Sequence, residues 1–268
     1  MVNIYKMKKL LQKIINLFGY KLLKVKSTDA TNINDITKTL VQKSNPTIFD
    51  VGANKGQSIK RYKNLFENPI IHSFEPNTDE INILKQKYSN DKNLYLNNLA
   101  VGDKKGNLEF NINAISGHSS FKKLIPNTTL IKKRSSLINV DDKNYTIKKI
   151  NSEVVTLDDY VNENDIKNID ILKFDTQGFE DKVLLGAQKL LRENRIKFIQ
   201  LELIFSEIYE KPLQIYDVEK TLIPNNYKLF GISHNGSLIS HYIYQSEFIY
   251  ISNDTYENFK TNSPYFNN

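Results

Sequence analysis

The chain has 268 residues, 40% of them hydrophobic, and it contains no cysteine. This length suits one large α/β domain or two small ones. The lack of cysteine excludes disulfides, cysteine-ligated metals and thiol nucleophiles, and it fits a cytoplasmic location. The net charge of +7 comes from residues 1–26, which hold seven lysines and no acidic residue, so residues 27–268 are neutral. A neutral body argues against a large nucleic-acid-binding surface, and we expect no DNA partner.

Residues 1–44 are predicted to form a basic amphipathic helical segment in front of a catalytic domain at residues 45–268. Apolar side chains in this segment recur at helical spacing, at Met7, Leu10, Leu11, Ile14, Leu17 and Phe18. No apolar run is long enough to cross a membrane, and a secretory signal is not recognisable. Two interpretations stay open. Residues 1–26 lie peripherally on the inner face of the anionic cell membrane, or they pack on the body or on the second subunit of a homodimer.

Strands alternate with helices from residue 45 onward, and this pattern predicts a doubly wound, mostly parallel sheet. The predicted strands are 47–51, 69–75, 94–98, 169–174 and 196–201, with closing antiparallel strands at 227–232, 242–244 and 248–252. The predicted helices are 30–44, 57–66, 77–88, 180–192 and 215–223. Residues 100–153 show no long helical pattern, only short strands at 108–112 and 145–150. We expect a β-rich insertion there that serves as a lid or acceptor-binding element.

The segment DVGANKG at residues 50–56 lies between the first strand and the following helix. With Glu75 at the end of the second strand, it is typical of a nucleotide-binding βαβ unit. Gly52 and Gly56 allow backbone N–H groups to approach a ligand closely, and Glu75 can accept both hydroxyls of a ribose. The spacing differs from the G-x-G-x-x-G of dinucleotide-binding proteins. Asp50 would repel a pyrophosphate but suits a cation such as the amino group of S-adenosylmethionine (SAM).

Two later strands also end in a carboxylate, Asp175 and Glu202. Ligands of parallel sheets bind at the carboxyl ends of the strands, so these groups could act as general bases, cation ligands or orienting groups. His118, in the insertion, is a further candidate base, because imidazole titrates near pH 6.5. Gly178 is predicted to turn the chain sharply into the next helix. Glu180, in the first turn of that helix, is predicted to be structural.

Four segments together resemble the FkbM family of SAM-dependent methyltransferases. They are FDVGANKG at 49–56, SFEP at 73–76, NLAVGD at 98–103 and LKFDTQGFE at 172–180. The resemblance covers roughly residues 47–231. It implies a Rossmann-like class I methyltransferase fold, with a seven-stranded sheet and the insertion after its third strand. It also implies O-methylation of a sugar hydroxyl or of a polyketide-type product. Many members of the family resemble parts of the systems that synthesise surface polysaccharides or glycoconjugates.

The resemblance further implies which residues bind SAM. They are Asp50, Gly52, Asn54, Gly56, Glu75 and Asn98. The glycine turn would line the methionine end, with Asp50 at the amino group. Glu75 would bind the ribose hydroxyls, and Asn98 would lie near the adenine.

Asp175 and Glu202 would then face the acceptor, where many O-methyltransferases hold a divalent cation that polarises the hydroxyl. With such a cation, Asp175 and Glu202 are the predicted metal ligands and His118 is the predicted base. Without one, Asp175 is the better base.

The expected acceptor is a sugar, a nucleotide-sugar or a lipid-linked glycan. Basic residues of the insertion could hold its phosphates, namely Lys122, Lys123, Lys132, Lys133 and Arg134. Alternatives are a polyketide-type small molecule, RNA, or a non-catalytic SAM-fold scaffold in a glycan-assembly complex. An NAD-dependent sugar oxidoreductase is a further rival, and the missing third glycine argues against it.

Overall fold

The computed structural model describes residues 32–233 and 243–262, together with Leu11, Lys13 and residues 15–18. Most of the predicted N-terminal helix and part of the predicted strand at 242–244 lie outside these residues. Leu17 and Phe18, which are described, have exposed fractions of 84% and 73%. None of the described helices combines the length and apolar composition that a membrane span requires.

The described strands form two sheets. They are β1 (Thr47–Val51), β2 (Ile70–Phe74), β3 (Leu94–Asn97), β4 (Ala100–Val101), β5 (Gly106–Asn113), β6 (Thr146–Val155), β7 (Ile169–Phe174), β8 (Ile196–Ile204), β9 (Tyr227–Ser233) and β10 (Gln245–Ser252). The main sheet has seven strands in the order β3-β2-β1-β7-β8-β10-β9. Its first five strands are parallel, and β10 runs antiparallel to both β8 and β9. The predicted seven-stranded, mostly parallel sheet is therefore confirmed, and its strand order reverses next to β1, where ligands of such sheets bind.

Helices cover both faces of this sheet. They are α1 (Ile33–Leu40), α2 (Gln57–Leu65), α3 (Thr78–Lys87), α4 (Thr129–Leu137), α5 (Leu157–Glu163), α6 (Glu180–Leu185), α7 (Gln188–Arg192), α8 (Ile215–Leu222) and α9 (Asn253–Asn262). One apolar cluster joins the sheet to α1, α2 and α3, and a second joins it to α5 through α8. Asn77 caps α3, because its side chain accepts a hydrogen bond from the Asp79 N–H.

The insertion at residues 100–153 contains a helix that the sequence pattern did not predict. A three-stranded sheet in the order β4-β6-β5 accounts for its predicted β-rich character. Helix α4 lies between β5 and β6 and corrects the expectation of a helix-free insertion. Its N-terminus is capped by Thr128, whose hydroxyl accepts from the Ile131 N–H. Only Ile131 and Ser135 of α4 are buried, so its apolar periodicity is too sparse to recognise.

The helix predicted at residues 180–192 is divided into α6 and α7, and this prediction was wrong. The division follows from contacts with distant segments. A Cβ atom at Gly186 would lie 2.0 Å from the carbonyl oxygen of Gly102. The Gly186 carbonyl accepts from the Asp158 N–H, and the Asp158 carboxylate accepts from the N–H groups of Lys189 and Leu190 at the start of α7. Tertiary packing therefore overrides the local helical pattern.

Candidate active site

The turn after β1 is held tightly between the ends of β2 and β7. The N–H groups of Gly52 and Ala53 donate to the carbonyl oxygen of Phe74. Gly52 has a φ of +81°, and a Cβ atom there would lie 2.2 Å from the carbonyl oxygen of Asp175. Only glycine meets both demands, because it has no Cβ and adopts positive φ readily.

Glu75 stands beside this turn and is 6% exposed. Its Oε2 accepts from the Asn54 N–H at 2.7 Å, and its Oε1 accepts from the Asn77 N–H at 2.9 Å. Burial raises the pKa of Glu75 to about 7, although the two N–H groups favour the ionised form. Each carboxylate oxygen keeps a further lone pair for a hydroxyl donor. The geometry therefore fits a carboxylate that binds the hydroxyl pair of a ribose.

A cavity opens between the turn and the insertion. It encloses about 560 Å³ of space between protein atoms, counting its open mouth. The cavity is lined by Gly52, Asn54 and Glu75, and also by Asp175. Apolar side chains between them, including Phe74 and Leu99, offer a surface for a planar ring. These features match the parts of SAM: the Glu75 carboxylate suits its ribose hydroxyls, the glycine turn its methionine end, and the apolar wall its adenine ring.

Three of the predicted SAM-binding residues do not line this cavity. Asp50 is 0% exposed, and its Oδ1 lies 3.2 Å from Nζ of Lys173, its neighbour across β1 and β7. Gly56 directly precedes α2 as its N-cap residue with a φ of +79°, and a Cβ there would lie 2.7 Å from Cδ2 of Leu84. Both residues therefore shape the interior beneath the turn.

Asn98, the third, fixes the chain that carries Glu75. Its Nδ2 donates to the carbonyl oxygens of Glu75 and Pro76 at 3.0 and 3.1 Å. Its Oδ1 accepts from the Thr78 hydroxyl at 2.9 Å. The side chain of Asn98 is therefore engaged in internal bonds, and the neighbouring Leu99 lines the cavity.

Residues 110–140, called the cap below, close the cavity from above. The Ser116 hydroxyl donates to Oδ1 of Asn54 at 3.0 Å, which ties the cap to the glycine turn. The cap also pairs with the segment after β8, since the Ile125 N–H donates to Ile208 and the Glu210 N–H donates to Lys123. An apolar cluster that includes Ile131, Tyr145, Ile204, Ile208 and Tyr209 fills the space between them.

The loop after β7 presents Asp175 to the cavity. Oδ1 of Asp175 accepts from Nε2 of Gln177 at 2.7 Å. Gln177 and Gly178 both have positive φ, 57° and 95°, which confirms the sharp turn predicted at the glycine. The buried Glu180 carboxylate accepts from the N–H groups of Thr176 and Gly178 and so holds this loop, which agrees with its predicted structural role. Burial raises the pKa of Glu180 to about 7.

His118 lies behind the cavity wall, which its neighbours Gly117 and Ser119 line. Its Nδ1 is 2.7 Å from the Tyr145 hydroxyl. Burial lowers the pKa of His118, the positive charge of Arg134 lowers it further, and Asp175 opposes both. The imidazole is therefore neutral at pH 7, as a base must be, but it does not reach the cavity in this conformation.

Glu202 does not line the cavity. Its Oε1 accepts from Nε2 of Gln245 at 2.8 Å, and it faces Glu247 across β8 and β10. Burial raises the pKa of Glu202 to about 8, with help from the negative charges of Asp175 and Glu247. The described residues contain no group of three or more His, Cys, Asp or Glu side chains placed to hold a metal. The predicted cation site at Asp175 and Glu202 is thus without geometric support.

Several residues of the site were not predicted from the sequence. Lys173 is one that could have been, because a lysine inside an apolar strand requires a counterion, here Asp50. Tyr209 carries no local signal. Its hydroxyl lies 2.8 Å from the carbonyl oxygen of His118 and 2.9 Å from Oε1 of Gln177, and so joins the cap to the loop after β7.

A glycine turn at the switch point, a buried carboxylate after β2 and a seven-stranded sheet with an antiparallel closing strand define a class I SAM-dependent methyltransferase. The methyltransferase FkbM domain family matches residues 50–255. The chain therefore belongs to the FkbM methyltransferase family, which confirms the resemblance seen in its motifs.

Among curated proteins, the chain is similar to the 2-O-methyltransferase NoeI of Sinorhizobium fredii (strain NBRC 101917 / NGR234). The two are 24% identical over 190 residues, 71% of this chain and 76% of NoeI. A precorrin-6y C5,15-methyltransferase from Geobacter metallireducens GS-15 is 12% identical, with 86% and 92% of the two chains covered and a TM-score of 0.41. A SAM-dependent methyltransferase from Aquifex aeolicus is 11% identical, with 83% and 90% covered and a TM-score of 0.43. Both scores are below 0.5, so the fold assignment comes from the strand order and the family match.

Proposed function

We propose that this protein transfers a methyl group from SAM to a hydroxyl oxygen of a sugar or glycan precursor, in the synthesis of a surface polysaccharide or glycoconjugate. One observation carries the proposal. The same cavity is lined by two carboxylates with different proposed roles. Glu75 would accept hydrogen bonds from the ribose hydroxyls, and Asp175 would accept the proton of the acceptor hydroxyl. The similarity to NoeI, a 2-O-methyltransferase, supports oxygen as the methyl acceptor.

The residues that would hold SAM follow from the cavity. Glu75 would accept the ribose hydroxyls, the backbone of Gly52 and Asn54 would face the methionine end, and Phe74 and Leu99 would flank the adenine. When bound, SAM supplies an electrophilic methyl group on its sulfonium. The protein then has to align the acceptor hydroxyl and exclude water, and such positioning is worth about 7–11 kcal/mol.

Asp175 is the proposed base that takes the hydroxyl proton. It lines the cavity, and Gln177 holds it by a hydrogen bond to Oδ1, which leaves Oδ2 for the acceptor. His118 lies one layer further out, behind Gly117 and Ser119. A base of this kind contributes about 10²–10⁴-fold to the rate.

The test is methyl transfer from SAM with a deuterated methyl group to a panel of nucleotide-sugars and simple glycosides, followed by mass spectrometry. We expect a labelled O-methyl sugar from the wild type and a raised KM for SAM in Glu75→Ala. Methylation of RNA with none of the sugars would favour the RNA alternative. Binding of S-adenosylhomocysteine (SAH) without transfer to any acceptor class would favour the scaffold.

Peripheral membrane contact is the second part of the proposal. Residues 1–26 carry seven lysines and no acid, and the described Leu17 and Phe18 are exposed. Such a segment binds anionic lipid through both charge and apolar side chains. Co-sedimentation with anionic liposomes should decrease when both apolar residues are replaced by serine. Unchanged binding would leave the alternative, packing on the body or on a second subunit.

A further inference from the structure

Tyr209 follows β8, and the cap fixes the backbone on both sides of it. The Ile125 N–H donates to the carbonyl oxygen of Ile208 at 2.8 Å, and the Glu210 N–H donates to that of Lys123 at 3.0 Å. The side chain of Tyr209 is 2% exposed and packs in the apolar cluster between the cap and the segment after β8. Its hydroxyl therefore has a defined position where the cap meets the loop after β7.

The Tyr209 hydroxyl has one proton and faces two oxygen atoms. The carbonyl oxygen of His118 lies 2.8 Å away, and Oε1 of Gln177 lies 2.9 Å away. The His118 carbonyl also accepts from Nδ2 of Asn113, so it has a donor even when the tyrosine proton points to Gln177. Burial, with the negative charge of Asp175, raises the pKa of Tyr209. The hydroxyl therefore stays protonated and can donate to the glutamine.

The backbone of Gln177 is fixed independently of its side chain. Its carbonyl oxygen accepts from the hydroxyl of the buried Ser120 at 2.7 Å. Its φ of 57° lies in the left-handed region, which residues other than glycine adopt only where their surroundings enforce it, often at functional sites. The freedom that remains is the orientation of the side-chain amide.

The orientation of this amide decides what Asp175 receives. With Nε2 towards Asp175, the amide donates to Oδ1 at 2.7 Å and favours the ionised carboxylate. With the amide turned over, Oε1 would face Oδ1, and two acceptors repel each other unless the carboxyl is protonated. A protonated carboxyl cannot take the proton of an acceptor hydroxyl. The Tyr209 hydroxyl binds the other end of the amide and so holds Nε2 against Asp175.

We propose that Tyr209 is a positioning residue for methyl transfer, which holds the Gln177 amide so that the carboxylate of Asp175 stays turned towards the acceptor. The inference rests on the proposed function, in which Asp175 takes the proton. Tyr209 does not line the cavity, whereas Gln177 and Asp175 do, so the tyrosine acts through the glutamine. Because the cap places Tyr209, the geometry of the base depends on the position of the cap.

The kinetic test compares Tyr209→Phe, Gln177→Met and the double variant in the labelled-SAM assay, with the sugar acceptor that this assay identifies. Both replacements nearly keep the volume of the side chain, so the packing is retained. Each single variant should lower kcat about tenfold or more and leave KM for SAM and for the acceptor within about twofold. The double variant should be no slower than Gln177→Met, because Tyr209 acts through this amide.

Tyr227→Phe is the matched control. It removes a buried hydroxyl that donates to the carbonyl oxygen of Ile196 at 2.6 Å, at the start of β8 and so at the edge of the sheet opposite the cavity. We expect its kcat to equal that of the wild type. A fall as large as that of Tyr209→Phe would indicate a general loss of stability and would overturn the inference.

Two further kinetic results would count against the positioning role. Losses that multiply in the double variant would show that Tyr209 acts independently of Gln177. A Tyr209→Phe enzyme with normal kcat, or one that differs only in its KM for the acceptor, would show that the tyrosine does not orient the base.

A spectroscopic readout does not depend on turnover. In the SAH complex of the full chain, the side-chain amide of Gln177 gives a pair of proton resonances, and their absence from Gln177→Met assigns them. Tyr209→Phe should shift this pair and speed its hydrogen exchange with water, and Asp175→Asn should shift it too. Tyr227→Phe should leave it in place. A pair that Tyr209→Phe does not change would contradict the inference.

The inference and the proposed function can fail separately. Methyl transfer to a sugar that Tyr209→Phe leaves unchanged would remove the positioning role and keep the proposed function. The expected resonance changes, without transfer to any sugar, would support the hold of Tyr209 on Gln177 and remove the proposed function.

Discussion

Cofactor binding should be coupled to the ionisation of Glu75. Burial raises the pKa of this carboxyl from an ordinary 4.5 to about 7 when the cavity holds no ligand. Ribose hydroxyls donate to an ionised carboxylate, so binding should return the pKa towards its ordinary value. The folded protein then gives up a proton when it binds SAH. At pH 7 the carboxyl is half protonated, and we expect release of about half a proton per SAH.

The sign of the pH effect follows from this coupling. Binding is strongest where Glu75 is already ionised, above pH 7, and weakens as pH falls through 7. We expect affinity at pH 6 to be about tenfold lower than at pH 8. The largest free-energy difference, reached at low pH, is about 3 kcal/mol for a shift of about 2.5 pKa units.

Calorimetry between pH 6 and 8.5, in two buffers of different ionisation enthalpy, measures both affinity and proton release. Glu75→Gln is the control, because an uncharged amide cannot release the proton. Glu180 and Glu202, whose pKa values are raised to about 7 and about 8, stay in that variant and report any background. A wild-type affinity that does not change with pH, or a slope that Glu75→Gln keeps, would refute the reasoning.

Three substitutions test the remaining parts of the site. Asp175→Asn should lower kcat about 10²–10⁴-fold and leave SAH affinity within about twofold, and normal turnover would remove this residue from the mechanism. Gly52→Ala, with its Cβ 2.2 Å from a carbonyl oxygen, should lower the free energy of unfolding by about 2–5 kcal/mol and weaken SAH binding. Gly106→Ala has a φ of +151° but no atom within 4 Å, and a similar loss in this control would contradict the steric argument. Lys173→Met should destabilise the fold by about 3–5 kcal/mol in urea unfolding, because Asp50 is left buried without a cation. Adding Asp50→Asn should recover most of that loss, and additive losses would count against the pair.

The main sheet was predictable because its parallel strands are short apolar runs between helical segments. Local patterns failed where distant contacts decide the structure. Helix α4 has a mostly polar surface, so its capping residue Thr128 was the strongest available signal. The break between α6 and α7 depends on Asp158 and Gly102, which lie far away in the sequence.

Residues of the candidate site were predictable where they stand at, or directly after, the end of a parallel strand. Gly52, Glu75 and Asp175 were found in this way, and all three line the cavity. Asp50 lies at the end of β1 too, but its carboxylate is buried beside Lys173. The position of a residue along its strand therefore predicts that it lies at the edge of the sheet. Whether its side chain faces the cavity depends on the residues around it. The link between His118 and Tyr209 joins segments distant in sequence, and no local pattern predicts it.

The central claim is that the cavity between the glycine turn and the cap binds SAM with Glu75 at the ribose. A crystal structure of the full chain with SAH tests this most directly. We predict ribose hydroxyls within hydrogen-bond distance of both Glu75 oxygens, and the sulfur on the side of Asp175. SAH bound elsewhere, or bound here without a contact to Glu75, would contradict the account.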